Sequence, residues 1–326
     1  MSATEYATAA ADAAANAKLT ITDLRKRYGS TVALNGVNLT LRPAIYGLFG
    51  RNGAGKSTLM GIIANRLLPS GGSIELDGAG VFENEAAQSR IYLLNETVPF
   101  MVGVRLNTIF KREERYYGGF DWALSARMLA EFGIMPGSLY GQLSLGQRMI
   151  VRLVAALCVP VDVLLLDEPV LGLDAANREL FYKFLLESFG DYPRIIVLST
   201  HIISEIAHVV ERVAILDQGK IIDEFDAESV GSRATVLVGE ADQVTTFAAS
   251  NQLQIISREE MGKLFSVVVR GQIDSSELPA GVSATRLDLQ EYVIRATSSP
   301  ETQQSDSLST NVAGFAAAAL PSQKGQ

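Results

Sequence analysis

Apolar and polar positions alternate along this chain in two rhythms. Short apolar stretches at Val37–Leu41, Ala44–Phe49, Val163–Leu166 and Ile195–Ser199 predict buried strands. Between them, Lys56–Leu67, Asp121–Phe132, Leu145–Val159 and Ala175–Phe189 read as helices. That alternation over residues 18–230 predicts an α/β fold with helices packed on a mostly parallel sheet. Residues 233–296 carry weaker strand patterns at Ala234–Val238 and Leu264–Arg270. With Asp288–Ile294 they predict a small accessory α/β domain. Residues 1–17 and the tail from about 297 to 326 are rich in small and polar residues without periodicity, and are expected to be disordered. No apolar stretch reaches 18 residues, so no membrane span is expected.

Composition narrows the picture. With 326 residues, 48% of them hydrophobic, the chain can bury one sizeable core and a smaller one. A net charge of −8 argues against a nucleic-acid partner. The start carries Glu5 and Asp12 before Lys18 and lacks the basic and apolar regions of a signal peptide. The one cysteine, Cys158, leaves no intramolecular disulfide or metal cluster and sits in an apolar run as a packed thiol.

Candidate chemistry enters at Gly50-Arg51-Asn52-Gly53-Ala54-Gly55-Lys56-Ser57, directly after a strand and before a helix that includes Thr58. The spacing fits a phosphate-binding loop. Glycines let successive N–H groups converge on one anion, and the helix N-terminus adds its positive dipole end. Lys56 supplies a cation for the phosphates, and Ser57 a hydroxyl for Mg²⁺. A second pattern, Val163–Leu166 followed by Asp167-Glu168-Pro169, ends an apolar strand in two carboxylates. Such a strand places them at the sheet's carboxyl edge. There Asp167 can hold Mg²⁺ through water, and Glu168 can orient or deprotonate an attacking water.

From these residues on, the chain resembles the ATP-binding cassette (ABC) ATPases. Leu143-Ser144-Leu145-Gly146-Gln147-Arg148 is similar to that family's signature, with Leu145 where a second glycine is usual. Gly172-Leu173-Asp174 resembles its D-loop, Ser199-Thr200-His201 its switch histidine, and Tyr28 its adenine-stacking aromatic. Arg212–Ile222 resembles the strand pair that follows. The resemblance implies an ABC cassette over 18–230, with a helical subdomain at about 96–158. It also implies an ATPase that pairs head to tail with a second cassette. ATP would lie between one phosphate loop and the other subunit's Ser144, Gly146 and Gln147, with His201 and Glu168 holding the water. A separate integral membrane permease and a peripheral place on the cytoplasmic membrane face are implied as well. The docking groove is expected near Asn95–Leu106, with Val98, Phe100 and Met101 receiving a permease helix.

Blander readings stay open at this stage. Tyr28 can be a packed aromatic, His201 a capping residue, and Ser144 an ordinary helix N-cap. The aligned metal contact is Asn95 where the family usually has glutamine. The segments Gly119–Trp122 and Phe132–Ile134 resemble export-type cassettes, so export is expected. The alternatives are a non-transport ABC ATPase and a weakly hydrolysing regulatory cassette.

Overall fold

Every residue of Ala44–Phe49 is buried, as a strand covered on both faces must be. The structure, a computed structural model, describes residues 14–95, 100–262, 264–274 and 278–297. The chain separates into two units, Met1–Glu228 and Ser229–Gln326.

The first unit opens with β1 (Leu19–Tyr28), β2 (Thr31–Leu41) and β3 (Ala44–Phe49). Helix α1 (Lys56–Ile63), β4 (Gly71–Leu76), β5 (Ala79–Gly80), α2 (Glu85–Gln88) and β6 (Ile91–Leu94) follow. Next come the helices α3 (Leu106–Tyr117), α4 (Trp122–Glu131) and α5 (Leu145–Cys158). Then β7 (Val163–Asp167), α6 (Ala175–Asp191), β8 (Ile195–Ser199), α7 (Ile203–Ile206), β9 (Arg212–Asp217) and β10 (Lys220–Asp226) complete it. The central sheet has the order β10-β9-β3-β8-β7-β6, parallel except for the β9–β10 hairpin. Its near-continuous Val, Ile and Leu strands suit burial under helices.

One sheet went unforeseen, and two expected boundaries need correction. A second, wholly antiparallel sheet of order β2-β1-β4-β5 stands beside the parallel one. Its strands are only half buried, so their polar outer residues mask the strand pattern. The helix expected to reach Leu67 stops at Ile63, where the N–H groups of Arg66 and Leu67 fold back to the Gly61 carbonyl. Residues 14–17 are ordered: Ala14 and Ala17 are fully buried, and the Ala17 N–H donates to the Ala14 carbonyl at 3.1 Å. Their methyl groups lose no rotamer entropy on burial. Residues 1–13 and 298–326 lie outside the described residues.

The second unit comprises α8 (Val230–Arg233), β11 (Ala234–Gly239), α9 (Ala241–Ser250), β12 (Ile255–Met261), β13 (Leu264–Arg270), β14 (Ser283–Arg286) and α10 (Leu289–Thr297). Its sheet, β12-β13-β11-β14, is antiparallel throughout. Leu237, Val244, Val267 and Val269 form its core. Among the described residues, no helix is long and apolar enough to cross a membrane.

Candidate active site at the carboxyl edge of the central sheet

The parallel register brings four chain segments to one edge. Leu94 pairs with Leu166, so the next residue, Asn95, stands level with Asp167. Asp167 pairs with Ser199, and Leu48 pairs with Ser199 from the other side. The ends of β6, β7, β8 and β3 therefore deliver Asn95, Asp167-Glu168, Thr200-His201 and Gly50 side by side. Ligands of open α/β sheets bind at this kind of edge.

From β3 the chain turns through Gly50–Gly55 into α1. Gly55 is the N-cap of α1 at φ +109°, and a Cβ there would stand 2.5 Å from the Ala33 carbonyl on β2. Only glycine fits this turn. Arg51, Asn52, Gly53 and Ser57 are exposed and Thr58 is half buried, so they form the open face of the cradle, while Ala54 faces inward. Lys56 is buried, and its Nζ donates to the carbonyls of Gly50 at 2.6 Å and Arg51 at 3.2 Å. Burial pulls the Lys56 ammonium below the usual lysine range, and the fields of Glu168 and Asp167 oppose that shift. The three charges thus share one site.

Glu168 sits just past β7 at φ +49°, and its N–H donates to the Ser199 carbonyl at 2.8 Å. Its Oε2 lies 2.9 Å from His201 Nδ1. A carboxylate only accepts, so Nδ1 is the donor nitrogen. This contact joins residues that lie 33 positions apart.

Ser144 caps α5 in a capping box: its hydroxyl accepts from the Gln147 N–H at 3.2 Å, and the Gln147 side chain accepts from the Ser144 N–H at 3.1 Å. A Cβ on Gly146 would stand 3.5 Å from the Gly172 carbonyl. The signature helix start of one chain therefore adjoins that chain's own 172–173 loop. Leu145 is 82% exposed. Tyr28 is half exposed at the end of the β1–β2 hairpin, with Lys26 Nζ 4.8 Å from its ring centre. The same hairpin reaches the cradle through Ala33.

Asp167, Ser57 and Asn95 are hard oxygen donors. Among the described residues no group of three or more His, Cys, Asp or Glu could hold a metal by itself. That set, one carboxylate with two neutral oxygens, fits Mg²⁺, which is held by one or two carboxylates and completes its shell with phosphates and water.

In the expected docking segment, Met101 and Val102 are exposed. Phe100 is half buried, its ring 5.6 Å from that of Tyr140, so it serves the fold's own packing. Val98 lies outside the described residues. Sequence reasoning missed the Arg178–Glu205 ion pair behind His201. No local pattern announces a pair 27 positions apart.

The glycine cradle, the acid-terminated strand and the sheet order define a P-loop nucleotide-binding fold. Comparison with known proteins narrows this. Residues 34–171 match the family profile described as ABC transporter. The chain is 30% identical over 273 residues to a daunorubicin resistance ATP-binding protein of Streptomyces coeruleorubidus, covering 80% of this chain and 86% of that protein. It is 32% identical over 245 residues to a putative ribose/galactose/methyl galactoside import ATP-binding protein of Burkholderia cenocepacia, covering 71% of this chain and 48% of that protein. The chain thus spans about half the length of these import relatives. The structure of an ATP-binding subunit of an ABC transporter shares the fold, with TM-score 0.59, 24% identity, and coverage of 65% of this chain and 91% of that one. The chain belongs to the ABC transporter family.

Proposed function

We propose that this chain binds ATP with Mg²⁺, hydrolyses it, and so powers transport through a separate membrane permease. The observation that carries the reading is the Glu168–His201 contact at 2.9 Å beside Lys56. In this reading Lys56 exchanges its loop carbonyls for the β- and γ-phosphate oxygens. Residues 50–58 cradle the phosphates with their N–H groups. Glu168 orients or deprotonates the attacking water, and His201 holds Glu168 and reaches the γ-phosphate. Tyr28 stacks on adenine. Ser57, Asp167 and Asn95 would hold Mg²⁺, which supplies charge neutralisation for the phosphates when bound.

A second cassette contributes Ser144, Gly146 and Gln147. The exposure of Leu145 beside that helix N-terminus supports a covering partner. Met101 and Val102 offer an apolar surface for the permease, which would hold the chain at the cytoplasmic membrane face. Export is favoured over import. The match to the daunorubicin resistance protein spans 80% of the chain, more than the first unit holds, and so extends into the accessory unit. In this reading residues 18–230 are the cassette and 233–296 an accessory domain.

The test is Mg²⁺-dependent ATP hydrolysis by the full chain. Glu168→Gln should retain ATP binding, lose turnover by about 10²-fold or more, and accumulate an ATP-bound dimer. Full turnover in that variant would remove Glu168 from its role. Crosslinking through Met101 should capture a membrane protein; ribosomes or DNA in its place would refute the transport reading.

A further inference from the structure

Contacts and chain segments close a ring on Glu168. From Glu168 the chain runs through Gly172–Asp174 into α6. The Asp174 side chain accepts from the Asn177 N–H at 2.8 Å, and the Arg178 N–H donates to the Asp174 carbonyl at 3.0 Å. Arg178 then reaches across to Glu205 on α7 in a close ion pair. Glu205 leads back along the chain to His201, whose Nδ1 closes the ring on Glu168.

We propose that Arg178 and Glu205 act as a positioning strap that fixes His201 against Glu168 and couples both to the 172–174 loop. The inference rests on the ATPase reading above. Its first support is the weakness of α7. A helix of four residues, Ile203–Ile206, has no intrinsic stability and takes its position from its contacts. Glu205 is the charged residue of that helix, and Arg178 is its partner. A solvated surface pair would contribute little. This one is shielded: the side chains are 24% and 29% exposed, and Arg178 Nε and Glu205 Oε2 are inaccessible to solvent.

The second support is Tyr182, one turn further along α6. It is 4% exposed, with a buried hydroxyl. Burial first, then the charge of Glu205, raises its phenol, with Arg178 opposing and Glu168 adding to the rise. Tyr182 therefore lies within the fields of both carboxylates. Its ring packs edge-on against His208 at 6.1 Å, so this stretch of α6 is held in place beside the ion pair. The third support is the site of the loop. Gly172 adjoins the signature helix start, so a movement there is carried through α6 and the strap to His201.

Misplacing a catalytic group by about 1 Å can cost about 10²-fold in rate. Glu205→Gln and Arg178→Met in the full chain should each lower kcat by about tenfold or more, with KM for ATP within about twofold. The reversed pair, Arg178→Glu with Glu205→Arg, should recover part of that turnover. A second measurement does not depend on turnover. The chain has two histidines, so the imidazole NMR signals of His201 can be assigned against His208. In Glu205→Gln the His201 signals should move to those of Glu168→Gln. Unchanged His201 signals, unchanged kcat in both single variants, or a reversed pair no better than either single variant would each overturn the strap. Wild-type chain without ATP turnover, but with the His201 shift, would refute the ATPase reading and leave the strap standing.

Discussion

Lys56 Nζ donates to the Gly50 carbonyl at 2.6 Å, inside its own loop. The loop itself holds the ammonium out of water, since burial is the largest influence on it. Phosphate oxygens would replace neutral carbonyls with charged acceptors, which make stronger hydrogen bonds. Lys56→Ala should therefore weaken ATP binding by about 10- to 100-fold, the loss of one charge-assisted contact of about 1.5–3 kcal/mol. Isothermal titration with ATP measures it. Unchanged affinity would mean that Lys56 serves only to close the loop.

Glu113 on α3 should make stability depend on pH. Burial pushes its carboxyl up from 4.5 to about 7. Its surroundings include Tyr92 and Tyr117, with the cations Arg66 and Arg152 acting on the same tyrosines. The folded state keeps a proton that the unfolded chain releases between these two values. Stability is thus undiminished below about pH 4.5 and falls as pH rises through about 7. The full penalty is about 2 kcal/mol after discounting for partial contact with solvent. Glu113→Gln should be more stable than wild type by about that amount near pH 8 and equal to it near pH 4.5. Urea unfolding at both pH values checks the sign; equal stability near pH 8 would contradict the shift.

How much of this was legible follows from where each signal lies. The cradle Gly50–Ser57 is local: its spacing, strand and helix are contiguous, so the residues announce the site. Asp167-Glu168 is local too, but an apolar strand that stops in two acids is common by itself and points to the site only beside the cradle. The His201–Glu168 contact joins two separate strand ends, and only the family resemblance brought His201 forward. The antiparallel sheet escaped because β1 places Asp23 and Arg25, an exposed ion pair, among its core residues, and irregular pairing between Thr22 and Arg25 breaks the period of two. The Arg178–Glu205 pair has no sequence pattern at all. It exists because the chain leaves α6, runs through β8 and returns in α7 to set Glu205 against Arg178. The antiparallel strands and α9 of the second unit were missed in part because β12, Ile255–Met261, mixes Arg258, Glu259 and Glu260 into a strand.

Cys158 ends α5 and is 3% exposed. Burial pushes its thiol well above the ordinary range, and the Asp121 carboxylate adds to that. The thiolate is the reactive form. Alkylation by iodoacetamide near pH 8 should therefore be limited by opening of the structure and should accelerate sharply in denaturant. Mass spectrometry over a time course measures this. Rapid labelling of the native chain would contradict the packing at the end of α5.

Asn95 follows β6 directly and stands level with Asp167 in the parallel register. Its side-chain amide carries the same carbonyl oxygen as glutamine on a stem shorter by one methylene, about 1.5 Å. A bridging water can span that gap at little cost. If Asn95 belongs to the metal shell, Asn95→Ala should lower turnover and raise the Mg²⁺ concentration needed for half-maximal hydrolysis by several-fold. Asn95→Gln should keep or increase activity, because the longer stem reaches the ion without the water. A turn-capping role would behave differently. Asn95→Ala would then cost stability with no change in Mg²⁺ requirement, and Asn95→Gln would do the same, since glutamine caps turns poorly. Titrating Mg²⁺ against turnover for both variants, beside their melting temperatures, separates the two. An unchanged Mg²⁺ requirement in Asn95→Ala removes Asn95 from the metal site.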